Sequence, residues 1–298
     1  MAQIIDKLVG ETPLEALERF RAGKICTSEA CVTGYTWENV PLTYAGRLDP
    51  MAEGKLLILI GDECKDKEKY LGMDKEYEVE ILLGISTDTY DALGIVQDAQ
   101  GVNDLWAYPA QDWLQKYVGK FAQEYPPYSS KTVNGRQLHE LARSGALPEV
   151  MPTREVEIYS IRVIDTGTIT AEGLLARIVG NIDLVKGDFR QEVIGKRWRE
   201  VLTNFSSNSL RGKNCKDCKE NGVSNSLCGK NCKDCKEGGV SNSPSSTGGK
   251  EGDLPNFPVI RLLVRCSSGT YMRSLAQRIG VDLGTGAFAL SINRTAIG

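Results

Sequence analysis

The sequence predicts an α+β fold, and three observations carry that expectation. Two segments, YEVEILLGI at 77–85 and VIRLLVRC at 259–266, alternate apolar and charged residues with the period of a β-strand. Helical patterns are interspersed with these strands without a regular βαβ alternation. No glycine-rich dinucleotide or phosphate loop follows a strand, which removes the main reason to expect a doubly wound sheet.

In chain order, ETPLEALERFRAG reads as a short helix. Thr12 can cap it, Pro13 suits the first turn, and Leu14, Leu17 and Phe20 recur at helical spacing. TYAGRLDPMAEG, residues 43–54, sets Asp49 and a proline between glycines, which is first of all turn chemistry, and it runs directly into the apolar KLLILIGDECK. In the next strand Tyr77, Val79, Ile81 and Leu83 share one face, with Glu76, Glu78 and Glu80 on the other. In the late strand Ile260, Leu262, Val264 and Cys266 oppose Arg261 and Arg265. SSGTYMRSLAQRIG then turns through Gly269 into a helix whose apolar stripe is Met272, Leu275, Ala276 and Ile279.

The 298 residues are 41% hydrophobic and 25% charged, enough for a real core in one large domain or two smaller ones. No apolar run approaches the roughly 20 residues of a membrane helix, and Asp6, Lys7 and Glu11 interrupt the start as a signal peptide. A soluble, cytoplasmic protein is the expectation. A net charge of −3 weakly disfavours a nucleic-acid partner, although a local basic patch matters more than the sum.

Residues 204–256 differ from the rest. They are rich in Ser, Asn, Gly and Lys, almost free of large apolar residues, and unable to bury enough surface to offset their ordering entropy. GKNCKDCKENGVSNS at 212–226 recurs as GKNCKDCKEGGVSNS at 229–243, so the segment reads as an insert looped out of one domain spanning 1–298. Its eight Lys and Arg against six Asp and Glu between 206 and 253 suit a solvated linker or a weak basic arm. Cys215, Cys218, Cys232 and Cys235 form two CxxC pairs whose thiolates can close a tetrahedral zinc shell. Tandem duplication of a single CxxC gives the same spacing whatever its use, and no apolar residues flank the pairs to build a zinc ribbon. A zinc stoichiometry near zero after purification without chelators removes the metal reading.

AGRLDPMAEGKLLILIGDECK resembles the signature of the TruB-type tRNA pseudouridine synthases, GxLDPxAxG followed by an apolar strand and G-(E/D)-x-x-K. Further stretches follow in that family's order. DKLVGETPLEALERFR resembles its opening segment, and KEYEVEILLGISTDTYDALG its K-x-Y strand and TDTxDxxG turn. YSSKTVNGRQLHELARSG resembles the YSAxKxxG segment, KGDFRQEVIGKRW is similar to a stretch of some members, and VIRLLVRCSSGTYMRSLAQRIG resembles the C-S-x-G-T-Y-I-R strand and helix. The resemblance covers roughly 1–202 and 257–298, and these ordered matches together are far more specific than one motif.

The resemblance implies a pseudouridine synthase fold with a central mixed, mainly antiparallel sheet flanked by helices. It implies an isomerase that detaches uracil from ribose, turns it and rejoins it through C5 without a cofactor, on the T-loop uridine at position 55 of tRNA. Asp49 is then the nucleophile, which must stay ionised where water is excluded, and Arg273 from GTYMR is the cation beside it. A cation at a helix start faces the positive end of the dipole, so its position itself calls for a partner. Tyr77 matches the tyrosine that stacks on the target base, and packing in the core does not exclude stacking. Lys65 and Lys75 are expected contacts to the RNA backbone. Tyr44 stands where the family has the histidine that holds the RNA loop open, with Arg47 beside it, and an aromatic ring can still wedge or stack. The only histidine, His139, reads as a helix residue, which leaves no histidine for a general base.

Three features depart from the pattern. ICTSEACVTGYTWENVPL lengthens the approach to the catalytic turn, Thr132 occupies the expected lysine position with Lys131 displaced by one, and the chain ends at INRTAIG without the family's C-terminal RNA-binding domain. A monomer that binds the tRNA T-arm with modest affinity and steep salt dependence is the resulting expectation. The rivals are a guide-RNA-dependent synthase and a non-catalytic tRNA-binding or folding protein. Activity on bare tRNA separates the first, and binding without isomerisation marks the second.

Overall fold

The computed structural model describes residues 1–24, 39–99, 110–211 and 256–298. The CxxC repeat lies outside the described residues. The elements are β1 (Ala2–Lys7), α1 (Pro13–Lys24), β2 (Leu42–Ala45), β3 (Ala52–Ile60), α2 (Lys67–Leu71), β4 (Lys75–Leu83), β5 (Ile85–Thr87) and β6 (Val96–Ala99). They continue with α3 (Ala110–Leu114), β7 (Gly119–Glu124), β8 (Thr132–Val133), β9 (Arg136–Gln137), α4 (Leu138–Arg143), β10 (Thr153–Thr170), α5 (Ala171–Leu184), α6 (Gln191–Arg211), β11 (Asn256–Cys266), α7 (Met272–Leu283) and β12 (Ala287–Ile297).

An eight-stranded sheet organises the molecule, in the order β1-β3-β12-β4-β11-β10-β7 with β2 paired to β3. Every pairing is antiparallel except β12 with β3, so the sheet is mixed and mainly antiparallel, as expected. Strand alternation sends the two faces into two cores. Tyr77, Val79, Ile81, Leu262 and Val264 pack under the α7 stripe of Met272, Leu275, Ala276 and Ile279. On the opposite face Leu82, Phe288 and Leu290 meet Leu174, Ile178, Ile194 and Trp198 of α5 and α6.

Thr12 caps α1 reciprocally: its Oγ1 accepts from the Glu15 N–H at 3.2 Å and the Glu15 carboxylate accepts from the Thr12 N–H at 2.7 Å. The buried stripe of α1 is Ala16, Leu17 and Phe20 against Leu56 and Ile58, whereas Leu14, expected on that face, is exposed. Steps of three residues precess by about 60° each around a helix, so Leu14 falls about 110° from the centre of the Ala16, Leu17 and Phe20 stripe. The helix before the insert also runs past the expected boundary at 204, because α6 continues to Arg211.

Two tight approaches fix where β3 and α7 sit. Gly54 has φ +99°, and a Cβ there would clash with the Arg294 backbone across the parallel pairing. Gly280 on α7 lies against the backbone of Ala287, which lets the helix lie close to β12.

Candidate active site

The site forms where the turn before β3, the first residues of β4 and the start of α7 converge. Asp49 sits in the turn joining β2 to β3, and its carbonyl accepts from the Ala52 N–H at 3.0 Å. Leu48 and Met51 on either side are buried and anchor the turn to the core. Gly46 supplies the left-handed residue, at φ +79°.

Two buried cations hold this turn through main-chain carbonyls. Lys7, 1% exposed at the end of β1, donates to Ala52 O at 2.5 Å, Leu8 O at 3.0 Å and Pro50 O at 3.4 Å. Arg294, 1% exposed on β12, donates to Lys55 O at 2.6 Å, Gly46 O at 3.2 Å and Arg47 O at 3.4 Å. Burial lowers the Lys7 ammonium to about 8, against the pull of Glu11 and Asp49.

Arg273, at the first turn of α7, is 3% exposed. Its Nε lies 2.8 Å from Asp49 Oδ2 and 3.7 Å from Asp91 Oδ2. The Nε–H does not point along the 2.8 Å line, so this is a close ion pair rather than a directed hydrogen bond. Nη1 donates to Thr89 O at 2.9 Å and Nη2 to Tyr128 O at 3.3 Å. Burial opposes the charge, but Asp49 and Asp91 outweigh it and hold the guanidinium above its ordinary value. Asp91 is buried, and its Oδ1 accepts from Thr89 Oγ1 at 2.7 Å and the Leu93 N–H at 2.9 Å. Burial pushes the Asp91 carboxyl up, with Arg273 drawing it back.

Asp49 therefore has an open carboxylate, 38% exposed, backed by a cation that water scarcely reaches. A carboxylate so placed can attack an electrophilic carbon or stabilise a developing positive charge. Tyr77 lies in the core beside this turn, opposite Arg294 in the β4–β12 register. Burial raises its phenol above the ordinary value, so the hydroxyl stays neutral. The structure thus brings together Asp49, Tyr77 and Arg273.

The other expected contacts scatter. Arg47 is exposed in the Asp49 turn itself. Tyr44 packs beside the α1 cluster, with Lys67 Nζ 5.3 Å from its ring centroid. Lys65 is exposed at the far end of β3, paired with Asp62 at 2.7 Å in a shallow cleft with Pro41 and Cys64. Lys75 is a correction: it is buried, donating to Leu71 O and Met73 O, and is no free surface lysine for an RNA phosphate. The reason is strand alternation, since Lys75 shares the inward face of Tyr77. Burial and then Arg294 lower its ammonium to about 8. His139 is a half-buried residue of α4 whose Nδ1 lies 3.3 Å from Ser129 O, as a helix residue should be.

Lys7, Asp91 and Arg294 went unread in the sequence. A signal existed for Arg294, because it shares the alternation of Ile292 in a late strand. Arg154 also appears only in three dimensions, its guanidinium lying over Gly269 at the turn before α7. Among the described residues no group of three or more His, Cys, Asp or Glu side chains is placed to hold a metal ion.

Residues 39–177 match the family model described as TruB family pseudouridylate synthase (N terminal domain). The chain is 34% identical to tRNA pseudouridine synthase B of Aquifex aeolicus over 164 residues, 55% of this chain and 52% of that protein. It is 29% identical to tRNA pseudouridine synthase 4 of Saccharomyces cerevisiae over 260 residues, 86% of this chain and 60% of that one. The chain's matches span about 40 to 60% of the length of the curated relatives. A chain in the crystal structure of a Cbf5–Nop10–Gar1 complex aligns at 14% identity with a TM-score of 0.47, covering 100% of this chain and 48% of that one.

Proposed function

We propose that the chain, which matches the model of the TruB family of pseudouridylate synthases over residues 39–177, isomerises a uridine of tRNA to pseudouridine, with Asp49 as nucleophile. The proposed target is the T-loop uridine at position 55, taken from the T-arm by a monomer. In this reaction the C1′–N1 bond breaks and a C1′–C5 bond forms. The C5 proton leaves and N1 takes one up, so no electrons are exchanged and no co-substrate is consumed.

The observation that carries the reading is the pairing of an open Asp49 carboxylate with a buried Arg273 guanidinium at 2.8 Å. A nucleophile must be reachable, while its cation must be fixed before substrate arrives so that no reorganisation is needed during the reaction. Lys7 and Arg294 fix the Asp49 turn from the sheet side, and Asp91 helps fix Arg273. Tyr77 offers a ring at the floor of the turn on which a flipped base can stack. Arg47 in the turn is exposed for a backbone phosphate. The test is Asp49→Asn, which keeps shape and removes the charge. Turnover should vanish while tRNA binding persists, and residual activity above a few per cent takes the nucleophile role from Asp49.

A further inference from the structure

We infer that Arg190 is a positioning residue for the catalytic guanidinium: it clamps the two chain segments whose carbonyls hold Arg273. This rests on the pseudouridine synthase reading above and gives a role to one residue of the KGDFRQEVIGKRW stretch. Arg190 ends the short connection between α5 and α6. It adopts φ +64°, a left-handed conformation uncommon for a residue with a side chain and kept only where surrounding contacts fix it.

Its side chain supplies those contacts. Nη1 lies 2.7 Å from Asp88 Oδ2, with both side chains about one-fifth exposed. Its guanidinium also covers the Tyr128 ring, 4.3 Å from the centroid. Asp88 Oδ1 accepts from the Ile95 N–H at 2.7 Å, closing the β5–β6 connection that carries Thr89 and Asp91. Arg273 donates to Thr89 O and to Tyr128 O. Each carbonyl that orients Arg273 therefore belongs to a residue that Arg190 touches, or to the next residue along. The 87–95 turn and the 125–131 segment share no β-pairing with each other; Arg190 adds an ion pair to one and a ring contact to the other, beside the carbonyl bonds of Arg273 itself and the Tyr128–Asp88 side-chain contact. Without Arg190 the two carbonyls are held less firmly, and the 2.8 Å ion pair to Asp49 loses its fixed geometry.

The experiment compares wild type with Arg190→Ala, Arg190→Lys and Asp88→Asn in the full chain, after confirming folding by thermal melts. The first readout needs no catalysis: hydrogen exchange at the Arg273 Nε–H, its NMR signal assigned by loss in Arg273→Lys. The clamp predicts exchange at least about tenfold faster in Arg190→Ala and Asp88→Asn. Arg143→Ala, which breaks the neighbouring contact to Asp188, should leave it unchanged. The second readout separates rate from affinity: single-turnover pseudouridine formation should fall about 10- to 100-fold with the tRNA Kd within about twofold. Arg190→Lys, which keeps the charge but not the planar stack, should recover part of both. Unchanged Nε–H exchange in Arg190→Ala overturns the clamp, whether or not the wild type makes pseudouridine. A tRNA Kd weakened tenfold, with the salt slope reduced by about one, overturns it differently by making Arg190 a phosphate contact. A wild type that shows the exchange pattern but forms no pseudouridine refutes the functional reading and leaves the clamp standing.

Discussion

At the scale of single residues, the site turns on how many jobs one guanidinium performs. Arg273 pairs with Asp49 and Asp91 while donating to two carbonyls, a geometry that needs a planar fork. A lysine ammonium cannot reach all four. Arg273→Lys should therefore lower the single-turnover rate by about 100-fold or more, with smaller changes in tRNA affinity. A loss under about fivefold would mean that charge alone suffices. The sequence announces Asp49, Tyr77 and Arg273 because their neighbours form long, specific motifs. It hides Asp91 and Lys7, which sit in ordinary-looking strings and acquire meaning only when distant strands meet. Lys75, an expected RNA contact, is hidden for the same reason: a lysine at a strand's start looks exposed until the strand's inward face is known.

At the scale of elements, the alternation of β4 and β11 was legible because each strand buries one face and presents charge on the other. The parallel pairing of β3 with β12 was not, since nothing local records a partner about 240 residues away. That pairing depends on Gly54. Gly54→Ala should destabilise the protein by about 3 kcal/mol or more, because the added methyl would meet the Arg294 backbone, which cannot swing aside as the Asn293 side chain can. A melting temperature unchanged from wild type would contradict it. The β1 end has its own signature in pH. Burial lowers Lys7 to about 8 from 10.5. Between those values the unfolded chain holds a proton that the folded chain has released, so stability rises with pH across the window. Below about 8 both states are protonated and the burial cost is present in full. The unfolding free energy of wild type relative to Lys7→Met should thus climb by about 2–3 kcal/mol from pH 8 to 10.5. A difference flat across that window would place the ammonium in a far wetter setting than the fold gives it.

At the scale of the whole molecule, two cores on opposite faces of one sheet hold the Asp49 turn from below while leaving its carboxylate open. The chain carries net charge −3, so attraction to RNA must come from local cations rather than the overall field. Binding to tRNA should weaken steeply with salt, with log K against log salt sloping at about −3 or steeper, whereas a slope shallower than about −2 would mean few phosphate contacts. Composition sets the repeat at 212–243 apart from the rest of the sequence, yet no local pattern shows how the segments on either side of it share one sheet.

The account stands most directly on one measurement: pseudouridine mapped at single-nucleotide resolution in an unmodified tRNA transcript, with wild type and Asp49→Asn side by side. The account predicts product at the T-loop uridine with wild type and none with the variant, although both bind the transcript. Binding without product from the wild type, or equal product from the variant, would contradict it.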